Sequence, residues 1–215
     1  MAVTDRARLR AATGVDDDAA LIAYAVALAD AGVDGLQLRD RTVEDGALRR
    51  LASAIVDATQ GSGCRVLVND RAHVAWAAGA DGVHLRGDGM PVERVRAVAP
   101  RASLIGRSMH GGDPVVAAAE ADYVVFGTVY ASDSKGPGMA VAGVEALQAF
   151  ARACPVPVLA IGGVTLERTA AVARAGASGV AAIDLFVQSY AAGGGRLAAM
   201  VREVHAMLGD GEQTA

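Results

Sequence analysis

The stretch Ala78-Gly79-Ala80-Asp81-Gly82-Val83-His84-Leu85 reads as four structural events in succession. Alanine closes a helix, glycine caps it, a tight turn follows, and a short apolar run opens a strand. The phrase recurs. Ala31-Gly32-Val33-Asp34-Gly35 and Ala175-Gly176-Ala177-Ser178-Gly179 repeat it, and Glu120-Ala121-Asp122-Tyr123 repeats it without the glycine. The copies stand roughly 40 to 55 residues apart, a spacing of one or two βα units. Working outward from them, strand candidates fall at 1–3, 36–39, 66–69, 82–85, 103–106, 123–127, 158–161 and 179–183. Helical stretches lie between, at 18–31, 48–59, 114–120, 144–153 and 166–175 among others. Strict alternation of strand and helix implies a parallel sheet with right-handed crossovers. Eight units predict an α/β fold, a single (β/α)8 TIM barrel over 1–208. The polar residues 209–215 are expected to form a disordered tail.

Composition agrees. The chain has 215 residues, within the span of one such barrel. It is 53% hydrophobic but only 4% aromatic, so the core is built from Ala, Val, Leu and Ile, as a buried parallel sheet under Ala-rich helices requires. A net charge of −4 argues against general affinity for nucleic acid or anionic membrane. Cys64 and Cys154 have no CxxC spacing and suit a reduced compartment. No signal-peptide pattern opens the sequence, and no apolar run reaches the ~18 residues of a membrane helix. A cytoplasmic location is therefore expected. The Ala-rich helix faces leave a homo-oligomer open.

In a βα barrel the active site lies at the C-terminal ends of the strands. Here those ends carry polar residues one after another: Gln37 and Arg39, Asn69 and Asp70, His84 and Arg86, Ser108 and His110, then Ser132, Ser134 and Lys135, and finally Asp184. Arg39, Arg86 and Lys135, with Arg41 and Arg107, would give a basic rim on an acidic protein. The rim calls for an anionic ligand. The seventh strand ends in Gly162-Gly163-Val164-Thr165, where a glycine pair before a helix exposes backbone N–H groups for phosphate. Residues 132–143 read as a long loop after the sixth strand.

Seven segments, in this order, resemble the thiamine phosphate synthase/TenI superfamily. They are Gln37-Leu38-Arg39-Asp40-Arg41, Val68-Asn69-Asp70-Arg71, Gly79-Ala80-Asp81-Gly82-Val83-His84-Leu85, Ile105-Gly106-Arg107-Ser108-Met109-His110, Ala121-Asp122-Tyr123-Val124-Val125-Phe126-Gly127, Ser132-Asp133-Ser134-Lys135 and Ala160-Ile161-Gly162-Gly163-Val164. They span roughly residues 2–190. The resemblance implies one of two activities. A synthase joins an aminopyrimidine diphosphate to a thiazole phosphate, releasing diphosphate with the help of Mg2+. A TenI-type protein moves a proton to aromatise the thiazole phosphate and needs no metal.

For the synthase, the resemblance implies substrate and diphosphate contacts at Gln37, Arg39, Arg41, Asn69, Ser108, Ser132, Ser134 and Lys135. It implies a thiazole phosphate cradle at Gly162, Gly163, Ile183 and Asp184, and Mg2+ on Asp70. There are departures. The segment after His84-Leu85, typically Gly-Gln-Glu-Asp in the family, reads Arg86-Gly87-Asp88-Gly89. The second Mg2+ aspartate thus falls on Gly89, and Asp88 stands one residue early as the replacement. Asp184 stands where the family has a small residue, and is read as a helix N-cap turned away from the phosphate. Arg39-Asp40-Arg41 and Gly106-Arg107-Ser108-Met109-His110 look closer to the TenI side, where the histidine matching His110 is a proton shuttle. The TenI-type tautomerase is accordingly put first, with His110 catalytic and no cofactor. The synthase with Mg2+ is the alternative, and a non-catalytic ligand-binding barrel is the third reading. The small-molecule partners are a phosphorylated thiazole and, for a synthase, a pyrimidine diphosphate.

Overall fold

The computed structural model describes residues 1–131 and 141–209. They form eight parallel strands hydrogen-bonded in chain order. The strands are β1 (Ala2–Val3), β2 (Gly35–Leu38), β3 (Arg65–Asn69), β4 (Gly82–Leu85), β5 (Leu104–Met109), β6 (Tyr123–Gly127), β7 (Val158–Ile161) and β8 (Gly179–Ala181). Two-residue β1 closes the barrel despite its length. It pairs with β2 through Ala2 and Val3, while Val3 N–H donates to Ala182 O (2.9 Å) and Ala182 N–H to Met1 O (3.2 Å). The (β/α)8 barrel read from the sequence is the fold.

The helices that flank the sheet are α1 (Arg6–Thr13), α2 (Asp18–Asp30), α3 (Asp45–Thr59), α4 (Ala72–Ala77), α5 (Val92–Arg96), α6 (Gly143–Ala153), α7 (Leu166–Arg174), α8 (Asp184–Ala191) and α9 (Arg196–Gly209). The repeated phrase does what its residues dictate. After α2, α4 and α7 a left-handed glycine (Gly32, Gly79, Gly176) lets the next N–H reach back five residues, for example Ala80 N–H to Ala75 O at 2.9 Å. Its aspartate has a second task. The Asp81 carboxylate accepts from Val66 N–H (2.8 Å) and that of Asp122 from Ile105 N–H (2.6 Å), so each pins the start of the preceding strand.

Some boundaries differ from expectation. β5 continues to Met109, because Ser108 and Met109 keep pairing with Val125 and Phe126. Helix 114–120 is only a 3-10 turn, Val115–Ala118, in a segment too short for a stable α-helical nucleus. β8 stops at Ala181, since Ile183 is already the N-cap of α8. Gly209, assigned to the tail, ends α9, and 210–215 lie outside the described residues.

Candidate active site

Alternation along each strand decides what faces the barrel axis. At the C-terminal end it lines one cavity of about 1020 Å3. The floor is divided. β2 to β5 contribute Gln37, Asn69, His84 and Ser108, all polar, whereas β1, β6, β7 and β8 contribute Val3, Val125, Ile161 and Ala181. The same alternation sends Arg107, beside inward Ser108, out of the cavity lining. Its guanidinium donates to Gly87 O (2.8 Å) and braces the loop after β4. The expectation that Arg107 joins the basic rim is therefore corrected.

The polar half is cross-linked. Gln37 Nε2 donates to Asn69 Oδ1 at 2.9 Å, tying β2 to β3. Arg39, one residue beyond β2, is fixed by its backbone N–H donating to Thr4 Oγ1 (2.8 Å), and its guanidinium lies 3.7 Å from Asp5. Burial, and then the charge of neighbouring Arg41, pull the Arg39 pKa below its ordinary value. A guanidinium held half-buried beside another cation is primed to meet an anion. Arg41 and Arg86 line the same cavity.

His84 is 2% exposed yet reaches the cavity. Its Nε2 lies 2.9 Å from Ser108 Oγ and its Nδ1 lies 3.1 Å from the Tyr123 hydroxyl. Burial pushes the imidazole pKa down to about 4, so the ring is neutral at pH 7. The ring thus bridges two hydroxyls, each able to donate or accept, and holds the Ser108 hydroxyl at the cavity floor. Tyr123 fits only because Gly106 stands opposite. A Cβ at 106 would lie 2.1 Å from Tyr123 Cζ. The sequence placed His84 on the rim, and the structure buries it in the core as well. The missed signal was a glycine on β5 in register with a tyrosine on β6.

His110 stands just past β5, half-exposed, with its backbone N–H donating to Asp113 (2.7 Å) and its Nδ1 3.4 Å from the same carboxylate. It lines the cavity beside Gly87. Ser132, Ser134 and Lys135 lie outside the described residues.

Across the barrel, Gly162 (φ 97) and Gly163 (φ 59) form the turn after β7. Only glycine serves there. A Cβ at 162 would lie 2.4 Å from Thr128 Cγ2, and one at 163 would lie 2.4 Å from Ala131 O. Ile183 and Asp184, at the start of α8, face the same side of the cavity. Asp184 is not the N-cap that was expected. Ile183 caps without a side-chain hydrogen bond, and Asp184 is the first helical residue, with its Oδ1 3.7 Å from Arg8 Nε on α1. The carboxylate is thus partly neutralised by Arg8, though that oxygen has no hydrogen-bond partner among the described residues.

The donor set for Mg2+ is poor. Asp70 follows β3 in a left-handed conformation (φ 64), a strained position of the kind found at ligand sites. Arg71, next in the chain, pairs with Asp45 (3.0 Å). Asp88 is 71% exposed and bound to Arg86 at 2.5 Å, while the same guanidinium lies 3.7 Å from Asp70. Position 89 is where a second carboxylate would face Asp70, since a Cβ there would lie 3.1 Å from Asp70 Oδ1, and it is glycine. Among the described residues no three His, Cys, Asp or Glu side chains gather as metal ligands. These residues do not fit a two-carboxylate Mg2+ site.

Residues 8–186 match the family described as thiamine monophosphate synthase. The chain belongs to that family. A thiamine-phosphate synthase of Methanoculleus marisnigri is 44% identical over 161 residues, covering 73% of this chain and 75% of the relative. One from Anaeromyxobacter dehalogenans is 41% identical over 181 residues, covering 83% and 81%. The thiamine phosphate pyrophosphorylase structure from Pyrococcus furiosus superposes with a TM-score of 0.78 at 24% identity, covering 98% of this chain and 95% of that one, and supports the fold. The relatives' names favour the synthase alternative over the tautomerase put first from the sequence. The resemblance of His110 and its neighbours to the TenI side rested on a short segment, which the match along most of the chain outweighs. No helix among the described residues is long and apolar enough to cross a membrane.

Proposed function

We propose that the protein is a thiamine phosphate synthase, a transferase that joins hydroxymethylpyrimidine diphosphate to thiazole phosphate and releases diphosphate. The observation that carries this reading is the pair of anion-holding rims in one cavity. Arg39, Arg41 and Arg86 lie on the β2–β4 side and the Gly162–Gly163 turn with the α8 start on the β7–β8 side. A tautomerase acting on one phosphorylated ring would leave the arginine rim without an anion.

In this reading Gln37 and Asn69 orient the pyrimidine and its first phosphate, and Arg39, Arg41 and Ser108 hold the diphosphate. Ser132, Ser134 and Lys135 join them on the strength of the resemblance alone. The exocyclic C–O bond breaks with its electron pair leaving on diphosphate. The guanidinium charges stabilise that developing charge more than they stabilise the ground state. The pyrimidine methylene is left cationic. The thiazole nitrogen, positioned by its phosphate in the glycine turn, supplies the lone pair for the new C–N bond. The apolar wall of Val3, Val125, Ile161 and Ala181 keeps water from competing.

The test is product formation from the two phosphorylated substrates, followed by release of diphosphate and appearance of thiamine phosphate. A folded protein that makes none, yet converts the thiazole phosphate between tautomers, would return the assignment to the tautomerase with His110 as its proton carrier.

A further inference from the structure

We infer that the Arg86 guanidinium takes the place of a divalent cation on the diphosphate, so that this chain binds and expels diphosphate without needing a metal. The inference rests on the synthase reading. Arg86 follows β4, and Asp70 follows β3. The two are tied at the backbone, because Asp70 N–H donates to His84 O at 2.8 Å. Arg86 reaches both acidic residues on this rim, at 3.7 Å from Asp70 and 2.5 Å from Asp88. It is also nearly half-exposed and lines the cavity, so part of its fork is open to a ligand.

Charge decides what this arrangement accepts. Mg2+ needs ionised oxygen ligands at ~2.1 Å in a nearly ideal octahedron. Here the Arg86 guanidinium already sits against both carboxylates, offsets part of their charge, and would repel a dication brought against Asp70. Glycine at 89, where a Cβ would lie 3.1 Å from Asp70 Oδ1, leaves no side chain to supply a second carboxylate. A guanidinium does fit a diphosphate. It is planar, permanently charged and offers paired N–H donors to two phosphate oxygens. Arg39 and Arg41 line the same cavity as Arg86 and add guanidinium donors for the diphosphate on this side. Asp70 and Asp88 then act as positioning residues that aim Arg86.

The first experiment measures thiamine phosphate formation by the intact protein in Mg2+ and in excess chelator. Turnover in chelator within about threefold of that in Mg2+ is expected. Turnover only with Mg2+ overturns the inference and leaves the synthase reading intact, whereas no product under either condition overturns the synthase reading itself.

Binding supplies a readout that does not depend on turnover. Inorganic diphosphate titrated into the protein in chelator should bind about tenfold more weakly to Arg86→Gln, a loss on the scale of one charge-assisted contact. Mn2+ followed by electron paramagnetic resonance should bind the intact protein no better than Asp70→Asn. The double variant Arg86→Gly, Gly89→Asp should gain Mn2+ affinity and become chelator-sensitive. If that variant does not fold, the intact protein still decides. Tight Mn2+ binding that Asp70→Asn abolishes, or unchanged diphosphate affinity in Arg86→Gln, sinks the proposal.

Discussion

His84 Nε2 lies 2.9 Å from Ser108 Oγ, inside a barrel whose burial of the imidazole keeps it neutral. The pair faces the polar half of the cavity. The hydrogen bond holds the Ser108 hydroxyl in one position, which an isolated serine would lack.

Ser108→Ala and His84→Phe should each raise KM for the pyrimidine diphosphate about tenfold, the scale of one hydrogen bond to a charged group. The double variant should cost little more than either single one, because both remove the same His84–Ser108 hydrogen bond. Steady-state kinetics on the three variants checks this. Additive losses would mean that His84 does not act through Ser108.

Stability should fall on mild acidification. His84 titrates near 4 when folded and near 6.5 when unfolded. Between those values the unfolded chain takes up the proton and the folded one does not. Stability is therefore whole above pH 6.5 and declines as the pH drops toward 4, by about 3 kcal/mol from this group. Urea unfolding at pH 7 and 4.5 measures the difference. His84→Gln should flatten it, and an unchanged slope would count against a neutral buried imidazole.

Gly162→Ala forces a side chain into φ 97 and to 2.4 Å from Thr128 Cγ2. A loss of about 1–3 kcal/mol is expected from the strained backbone alone. In protein that remains folded, KM for thiazole phosphate should rise while KM for the pyrimidine diphosphate stays near its starting value. Equal effects on both substrates would place the turn outside the phosphate cradle.

Asp184→Ser should improve thiazole phosphate binding severalfold. The change removes a carboxylate that Arg8 offsets only from 3.7 Å. The expected gain is under about 1 kcal/mol, in keeping with a partly exposed charge. Weaker binding in this variant would show that Asp184 helps to hold the substrate.

His110→Ala separates the two activities. Loss of a proton shuttle costs about 10²–10⁴ in rate. A synthase needs no such shuttle at this position, so thiamine phosphate formation should fall less than about tenfold. Arg39→Gln should lower it far more.

Much of this molecule was legible in one dimension. The Ala-Gly-x-Asp-Gly phrase announces a helix end and a strand start from local chemistry alone, and its repetition dictates a parallel barrel. Strand ends then name the rim, because active sites of such barrels lie at that face. Arg39, Asn69, Ser108 and Gly162–Gly163 line the cavity as their positions promised. Contacts between elements were not legible. That Gly106 makes room for Tyr123 depends on the register of β5 against β6. That one guanidinium serves Asp70 and Asp88 depends on two loops meeting after β3 and β4. That Asp184 falls inside the first turn of α8 follows from where β8 stops. Local preference acts over a few residues and is written in the chain. Charge pairing and space filling act between segments far apart in sequence, and only the closed barrel brings those together.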